Sequence, residues 1–215
     1  MSNTFKPIYR IGHAVSKFVF QNLLQAEGYG INNVPTKGPF LLACNHASFL
    51  DPFVAGCFFD RDIYFFARKS LFKPGIGKYI LDQFNAIPVD RDSGKDVSAL
   101  KRVLELLKKD QGVLIFLEGT RSFDGSLQPA QKGIGLMACK TQVPVVPTHI
   151  IGSFDVWGRE GKYPKLFINK IAVVYGPPLY PKSYDFPDDP NRYQKAADII
   201  NAAIAKLKEP FIEAI

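Results

Sequence analysis

The sequence predicts an α/β fold, a single domain with a largely parallel, mixed sheet flanked by helices and preceded by an N-terminal amphipathic helix. Two observations support this prediction. Short apolar runs bounded by Gly, Pro or polar residues recur along the chain, as is typical of buried strands. Between several of them lie segments with apolar residues at helical spacing, and strands that alternate with helices usually pair in parallel. The chain has 215 residues, enough for one such domain with its own core.

The predicted strands are short and almost wholly apolar, which is expected when both faces of a sheet are covered. Amphipathic helices are predicted at residues 97–107, before Gly112, and at residues 199–207, before Pro210. The strands are predicted at residues 39–44, 63–67, 86–89, 113–117, 145–151 and 168–175.

The first part of the chain reads as a separate element. Ile11, Val15 and Phe18 recur at helical spacing and predict an amphipathic helix that ends near residue 28. The chain is therefore divided into this helix, residues 1–28, and an α/β domain, residues 29–215. The helix either packs on its own domain or lies on a membrane surface, and the pattern fits both.

Composition limits the class of partner. A net charge of +7 favours an anionic partner, which can be nucleic acid, a membrane surface or a phosphorylated small molecule. The basic residues are dispersed and form no tract, so nucleic acid is set aside. No apolar run approaches the roughly 20 residues of a membrane-spanning helix, and the N-terminus lacks the features of a signal peptide. Three cysteines without a paired spacing indicate neither disulfides nor zinc, and fit a reducing compartment.

Polar side chains follow the predicted strands at the points where the strands end. In open α/β sheets, ligands collect at the carboxyl ends of the strands, so these residues are candidates for a functional site. In chain order they are His46 and Asp51, Arg68 and Lys69, Asp90 and Arg91, and Glu118, Gly119, Thr120 and Arg121.

His46 and Asp51 are a candidate pair for proton transfer. An imidazole titrates near neutral pH, and a carboxylate on its other ring nitrogen would fix the tautomer. The alternative is structural, because Asp51 precedes Pro52 in a pattern typical of a helix N-cap.

Residues 118–121 are a candidate phosphate site. Gly119 after a strand lets backbone amides approach a ligand closely, and the planar fork of Arg121 matches phosphate geometry. The alternative is a tight turn with a solvated arginine paired to Glu118.

No metal or nucleotide cofactor is predicted. His13, His46 and His149 have no metal-ligand spacing, and the glycines at 133 and 135 do not follow a strand as a dinucleotide-binding loop requires.

Four segments together resemble the sequence boxes of the glycerolipid acyltransferases, best known as 1-acylglycerol-3-phosphate acyltransferases. Residues 45–51 match the NHxxxxD box, residues 86–91 resemble the second box, residues 116–122 the FPEGTRS box, and residues 143–147 the proline-bracketed fourth box. Their order and spacing span roughly residues 40–150, which makes coincidence improbable. Leu117 stands where the third box usually has Pro, a change that alters the turn rather than the chemistry.

The resemblance implies that His46 is the general base for an acceptor hydroxyl, with Asp51 holding the imidazole and no acyl-enzyme intermediate. It further implies no cofactor, with acyl-CoA or acyl-acyl carrier protein as the thioester co-substrate. The expected product is phosphatidic acid, made from 1-acylglycerol-3-phosphate at the cytoplasmic face of a membrane by a peripheral protein. The residues expected to bind the acceptor are Arg68, Lys69, Arg91, Glu118, Gly119, Thr120 and Arg121.

Two alternatives remain open at this stage. The acceptor can be glycerol 3-phosphate or another lysolipid, since the walls of a pocket rather than the boxes select it. A non-catalytic lipid-binding module on the same fold is the other.

Overall fold

The computed structural model describes residues 7–89, 97–165 and 170–208, and within them seven strands form one sheet. Most of the predicted strands are confirmed to within a residue or two. The last begins later than predicted, at Ala172, and residues 166–169 before it lie outside the described part. The strands are β1 Glu27–Tyr29, β2 Phe40–Cys44, β3 Ile63–Arg68, β4 Ala86–Val89, β5 Gly112–Phe116, β6 Val145–Ile151 and β7 Ala172–Tyr175.

The strand order in the sheet is β1-β7-β6-β2-β5-β3-β4. The five strands from β6 to β4 run parallel to one another, with β2 between β6 and β5. β7 is antiparallel to β6, and β1 at the edge is parallel to β7, so these two strands run opposite to the other five. The predicted largely parallel, mixed sheet is therefore confirmed.

Helices cover both faces of the sheet, which explains why the strands are apolar throughout. Along β2, Phe40 and Leu42 face one hydrophobic cluster while Leu41 and Ala43 face another, because successive side chains of a strand point to opposite faces. The helices are α1 Pro7–Leu23, α2 Asp51–Val54, α3 Ile76–Gln83, α4 Val97–Leu107, α5 Lys132–Thr141, α6 Ser153–Trp157, α7 Pro181–Tyr184 and α8 Arg192–Lys206, with 3-10 turns at Ile31–Asn33 and Lys69–Leu71.

The N-terminal helix is present but ends earlier than predicted. α1 stops at Leu23, and Gln25 has a positive φ of 48°, which breaks the helical path. β1 then begins at Glu27 and crosses the predicted boundary at residue 28. This strand was missed because it has three residues and no apolar run; it exists through its pairing with β7.

α1 has apolar side chains on two faces. Phe20 and Leu24, the residue that follows the helix, are buried in the same hydrophobic cluster as Phe40 and Leu42 of β2. Ile11 and Phe18 lie on the opposite face, and 65% and 66% of their surfaces are exposed. The helix therefore packs on the domain and also presents an apolar stripe to solvent.

Arg61 ties together loops at the amino end of the sheet. Its Nη1 donates to the carbonyl oxygens of Pro35 and Gly38, each at 2.8 Å, and its Nη2 donates to that of Asp110 at 2.7 Å. The guanidinium carbon also lies 4.9 Å from the centre of the Phe40 ring. The planar fork thus supplies donors to several loops at once from a buried position.

Replacing Arg61 by lysine is expected to lower the free energy of unfolding by about 2 kcal/mol, because a single ammonium cannot reach all of these carbonyl groups and leaves at least one without a donor. Urea denaturation followed by circular dichroism measures the change. Arg102→Lys, on the exposed surface of α4, is the matched control and should change the value by less than about 0.5 kcal/mol. Equal effects of the two substitutions would contradict this role for Arg61.

Candidate active site

The candidate site lies where the carboxyl ends of three neighbouring strands meet. β2 lies between β5 and β6 in the sheet and runs parallel to both. His46 follows β2, Glu118 follows β5 and Ser153 follows β6. Side chains from distant parts of the chain therefore meet at this edge, as expected for an open α/β sheet.

His46 and Asp51 form a hydrogen-bonded pair. The imidazole Nδ1 lies 2.9 Å from Asp51 Oδ2. An ionised carboxylate can only accept, so Nδ1 carries the proton and donates it to this bond. This assignment leaves Nε2 as the ring nitrogen that can accept a proton, and 12% of the imidazole side chain is exposed to solvent. The arrangement is suited to a histidine that removes a proton from a substrate.

The Asp51 carboxylate is fully buried, and its oxygens are satisfied by the protein. Oδ2 also accepts hydrogen bonds from the backbone amides of Ala47 and Ser48, both at 2.7 Å, and Oδ1 accepts one from Ser153 Oγ at 2.7 Å. The alternative of a helix N-cap is wrong, because the cap residue of α2 is Leu50 and the carboxylate bonds to amides that precede the helix. These donors hold the carboxylate in one orientation, with Oδ2 towards His46.

The loop that carries His46 is held on several sides. The ring stacks on Phe116 at 3.9 Å between centroids and 14° between planes, which limits its rotation. The carbonyl of His46 accepts from the amide of Ser122 at 2.8 Å, and its own amide donates to Glu118 Oε1 at 3.2 Å. The loop after β5 therefore positions the backbone of the histidine.

Glu118 has an unusual environment for a carboxyl group. It is 4% exposed, and burial raises its pKa from 4.5 to about 7, a shift that hydrogen bonds from the backbone of His46 and Gln128 oppose. One of these bonds joins Glu118 to the backbone of His46. The resemblance placed Glu118 among the acceptor-binding residues. The structure places its carboxyl group against the loop that carries His46, and its contact with substrate stays a prediction.

The loop after Glu118 brings the candidate phosphate-binding residues close to the His46 loop. Gly119 has a positive φ of 70°, a conformation that favours glycine and turns the chain back at the end of β5. The guanidinium carbon of Arg121 lies 3.4 Å from the centre of the Phe49 ring, which belongs to the His46 loop. Arg159 Nη1 donates to Thr120 Oγ1 at 3.3 Å and to the carbonyl of Arg121 at 3.1 Å. The turn of the alternative reading is present at Gly119, but Arg121 packs against the Phe49 ring and is not simply solvated.

The structure says less about Arg68, Lys69 and Arg91, the remaining predicted binding residues. Arg68 ends β3, the neighbour of β5, and Lys69 begins the 3-10 turn that follows; both are exposed at the same edge of the sheet. Arg91 lies outside the described residues. The roles of all three in substrate binding stay predictions.

Several residues of the site were missed by reasoning from sequence. Ser153 would have been found by extending the strand-end rule to β6. Trp157 was predicted to be a packing aromatic, and its ring does pack on Phe49, with 5.1 Å between the ring centres. The prediction missed its backbone carbonyl, which accepts a hydrogen bond from Ser48 Oγ at 2.8 Å. Phe116 is the first residue of the third box, but the box gives no sign that its ring stacks on His46. Arg159 lies outside all four boxes, and its contacts depend on how distant loops meet.

Within the described ranges, His, Cys, Asp and Glu side chains form no group of three or more that could hold a metal ion. None of the helices in residues 7–89, 97–165 and 170–208 is both long and apolar enough to cross a lipid bilayer.

Comparison with known proteins identifies the family to which the chain is similar. A family model described as acyltransferase matches residues 25–151. The chain is 33% identical over 176 residues to the chloroplastic 1-acyl-sn-glycerol-3-phosphate acyltransferase BAT2 of Brassica napus, covering 80% of this chain and 50% of that protein. It is 30% identical to the 1-acyl-sn-glycerol-3-phosphate acyltransferase of Bacillus subtilis, covering 84% of this chain and 86% of that one. The crystal structure of the 1-acyl-sn-glycerophosphate (LPA) acyltransferase of Thermotoga maritima matches with a TM-score of 0.73 and 25% identity, covering 95% and 79% of the two chains.

Fold and site together define the class, an α/β protein with a histidine oriented by a buried aspartate at the carboxyl end of the parallel strands. The chain belongs to the acyltransferase family, and specifically to its glycerolipid branch. It spans about half the length of the plant relatives that it matches.

Proposed function

We propose that this protein transfers a fatty acyl group from an acyl thioester to the free hydroxyl of 1-acylglycerol-3-phosphate, giving phosphatidic acid in phospholipid biosynthesis. The observation that supports it most is the His46 Nδ1 to Asp51 Oδ2 hydrogen bond, which leaves Nε2 to accept a proton. The names of the relatives from Brassica napus and Bacillus subtilis indicate the substrate class.

In the proposed reaction His46 Nε2 takes the proton of the acceptor hydroxyl as its oxygen attacks the thioester carbonyl. The carbon–sulfur bond then breaks, and the imidazolium gives the proton to the leaving sulfur, so that a free thiol is released and the neutral imidazole is restored. Buried Asp51 stabilises the imidazolium. The acyl group passes directly to the acceptor, without a covalent intermediate on the protein and without a cofactor.

The experiment supplies the purified protein with an acyl thioester and 1-acylglycerol-3-phosphate, and follows both thiol release and phosphatidic acid. Acyl-CoA and acyl-acyl carrier protein are tested separately, because both are thioesters and the chemistry of the site fits either donor. Glycerol 3-phosphate and other lysolipids are separate acceptor arms. We expect acceptor-dependent thiol release to be fastest with 1-acylglycerol-3-phosphate. A faster reaction with another acceptor would change the substrate assignment, and thiol release in none of the arms would leave a non-catalytic lipid-binding module.

We propose that Arg121 binds the phosphate of the acceptor, since its planar fork suits a phosphate and it packs against the His46 loop. Arg121→Ala is expected to raise KM for 1-acylglycerol-3-phosphate about tenfold and to change kcat less. Arg102→Ala removes one positive charge from the distant surface of α4 and should leave KM unchanged. An unchanged KM in Arg121→Ala would remove Arg121 from this role.

We further propose that the protein docks peripherally on the cytoplasmic face of a membrane through the exposed stripe of α1. Ile11, Val15 and Phe18 form this stripe, and each is more than half exposed. Arg10 belongs to the same helix and is exposed, and the net charge of +7 favours a surface that contains anionic lipid. A membrane surface is also where a lysolipid acceptor is found.

Replacing Ile11, Val15 and Phe18 together by serine is expected to reduce flotation with phosphatidylglycerol vesicles at least fivefold, because the buried apolar area drives interfacial binding. Tyr180→Ser, which removes an exposed aromatic near α7, is the matched control and should float like the wild type. Equal flotation of the triple variant and the wild type would show that the stripe is not the docking surface.

A further inference from the structure

Ser153 contacts the catalytic pair from a separate part of the chain. Its hydroxyl lies 2.7 Å from Asp51 Oδ1, and the two residues are 102 positions apart in sequence. Because the carboxylate oxygen can only accept, the serine donates. Ser153 is 1% exposed and Asp51 is 0% exposed, so water cannot easily replace this bond.

The backbone around Ser153 is held where this bond requires it. Asn45, which precedes the catalytic histidine, pairs with the backbone of Ile150 at the end of β6; Oδ1 accepts from its amide at 2.7 Å and Nδ2 donates to its carbonyl at 2.9 Å. Gly152 then has a positive φ of 80°, and a Cβ there would lie 2.3 Å from the carbonyl oxygen of Lys170. The chain can therefore turn into α6 at this point only with glycine, and the turn places Ser153 over the carboxylate.

The other end of the same short helix holds the rest of the His46 loop. The carbonyl of Trp157, the last residue of α6, accepts from Ser48 Oγ at 2.8 Å and from the amide of Phe49 at 3.3 Å. α6 thus contacts the loop at both ends, and Ser153 is its contact with the carboxylate itself.

We propose that Ser153 is a positioning residue for acyl transfer: its hydroxyl fixes Asp51 Oδ1 so that Oδ2 faces His46 and supports the imidazolium that forms when the ring takes up a proton. This inference depends on the proposed general-base role of His46. A carboxylate that has lost this donor can rotate or lose part of its stabilisation, and the imidazolium formed during the reaction is then less well supported.

The test measures kcat and KM for the Ser153→Ala variant with 1-acylglycerol-3-phosphate and the better thioester donor. We expect kcat to fall about tenfold while KM changes less than twofold, since a hydrogen bond to a charged group is lost away from the substrate. Ser153→Cys keeps the side-chain volume but replaces the hydroxyl by a weak donor, so it should lose nearly as much activity as Ser153→Ala. Thr148→Val removes another buried hydroxyl, one that is bonded to the Val146 carbonyl, and should keep kcat within twofold of the wild type.

A double-mutant cycle separates positioning from a general effect on folding. In the Asp51→Asn background the charged partner is absent, so adding Ser153→Ala should cost less than twofold in kcat. An equal loss in both backgrounds, or a kcat for Ser153→Ala within twofold of the wild type, would overturn the inference. A wild-type protein that transfers no acyl group to any acceptor would instead contradict the proposed function.

Discussion

The His46→Ala variant is expected to lose acyl transfer almost completely, with kcat lower by a factor of roughly 10² to 10⁴. The reason is that His46 Nε2 is the proposed proton acceptor for the attacking hydroxyl, and its orientation is fixed by Asp51 and by the stack on Phe116. KM for the acceptor should change far less, because the imidazole acts on the reacting atoms rather than on the phosphate. Initial rates of acceptor-dependent thiol release measure both constants.

Asp51→Asn is the informative partner of this experiment. The asparagine oxygen can accept from His46 Nδ1 and from the amides of Ala47 and Ser48, while its NH₂ group can donate to Ser153 Oγ, so the fold should be kept. The negative charge that supports the imidazolium is nevertheless lost, and kcat should fall by roughly 10² or more. Wild-type activity in either the alanine or the asparagine variant, with the thermal midpoint preserved, would contradict the proposed mechanism.

Glu118 is expected to make stability depend on pH. Its pKa is raised from 4.5 to about 7 in the folded protein, so between these values the folded state holds a proton that the unfolded state has released. Its contribution to stability is therefore fully present below pH 4.5 and is lost as the pH rises through 7. The wild type should lose at most about 3 kcal/mol over this interval relative to Glu118→Gln. Urea denaturation at pH steps from 4.5 to 8 measures the difference.

Glutamine is the appropriate replacement because its oxygen can still accept from the amide of His46 while it carries no titrating group. The control is Glu105→Gln on the exposed surface of α4, whose stability curve should run parallel to that of the wild type. If the Glu118→Gln and wild-type curves are also parallel, burial does not shift the titration of Glu118 as described.

Much of the central sheet could be predicted because its local pattern is strong. A strand such as β2, apolar at every position, needs cover on both faces, and that requirement alone indicates a parallel sheet between helices. The strands β1 and β7, at one end of the sheet, were harder to predict. β1 has no apolar run, and the antiparallel direction of β7 follows from how the chain returns after α6, which no local pattern encodes.

The two apolar faces of α1 illustrate a different limit. Helical periodicity identifies the helix but cannot say which apolar side chains meet the domain, because Phe20 and Phe18 are equally apolar. In the structure Phe20 is buried and Phe18 is exposed. The choice depends on where the helix lies against the sheet, and this leaves the outer stripe available for the proposed membrane contact.

The sequence by itself was enough to predict the pair that we propose as catalytic. His46 and Asp51 are five residues apart and follow one strand, so a short loop is enough to bring them together. Tertiary structure alone decided what surrounds them: the Ser153 hydroxyl on the carboxylate, the buried Glu118 under the histidine, and the loop of Arg121 against Phe49. These contacts join segments that lie up to 102 residues apart in sequence, and they form only because β5, β2 and β6 end side by side at one edge of the sheet.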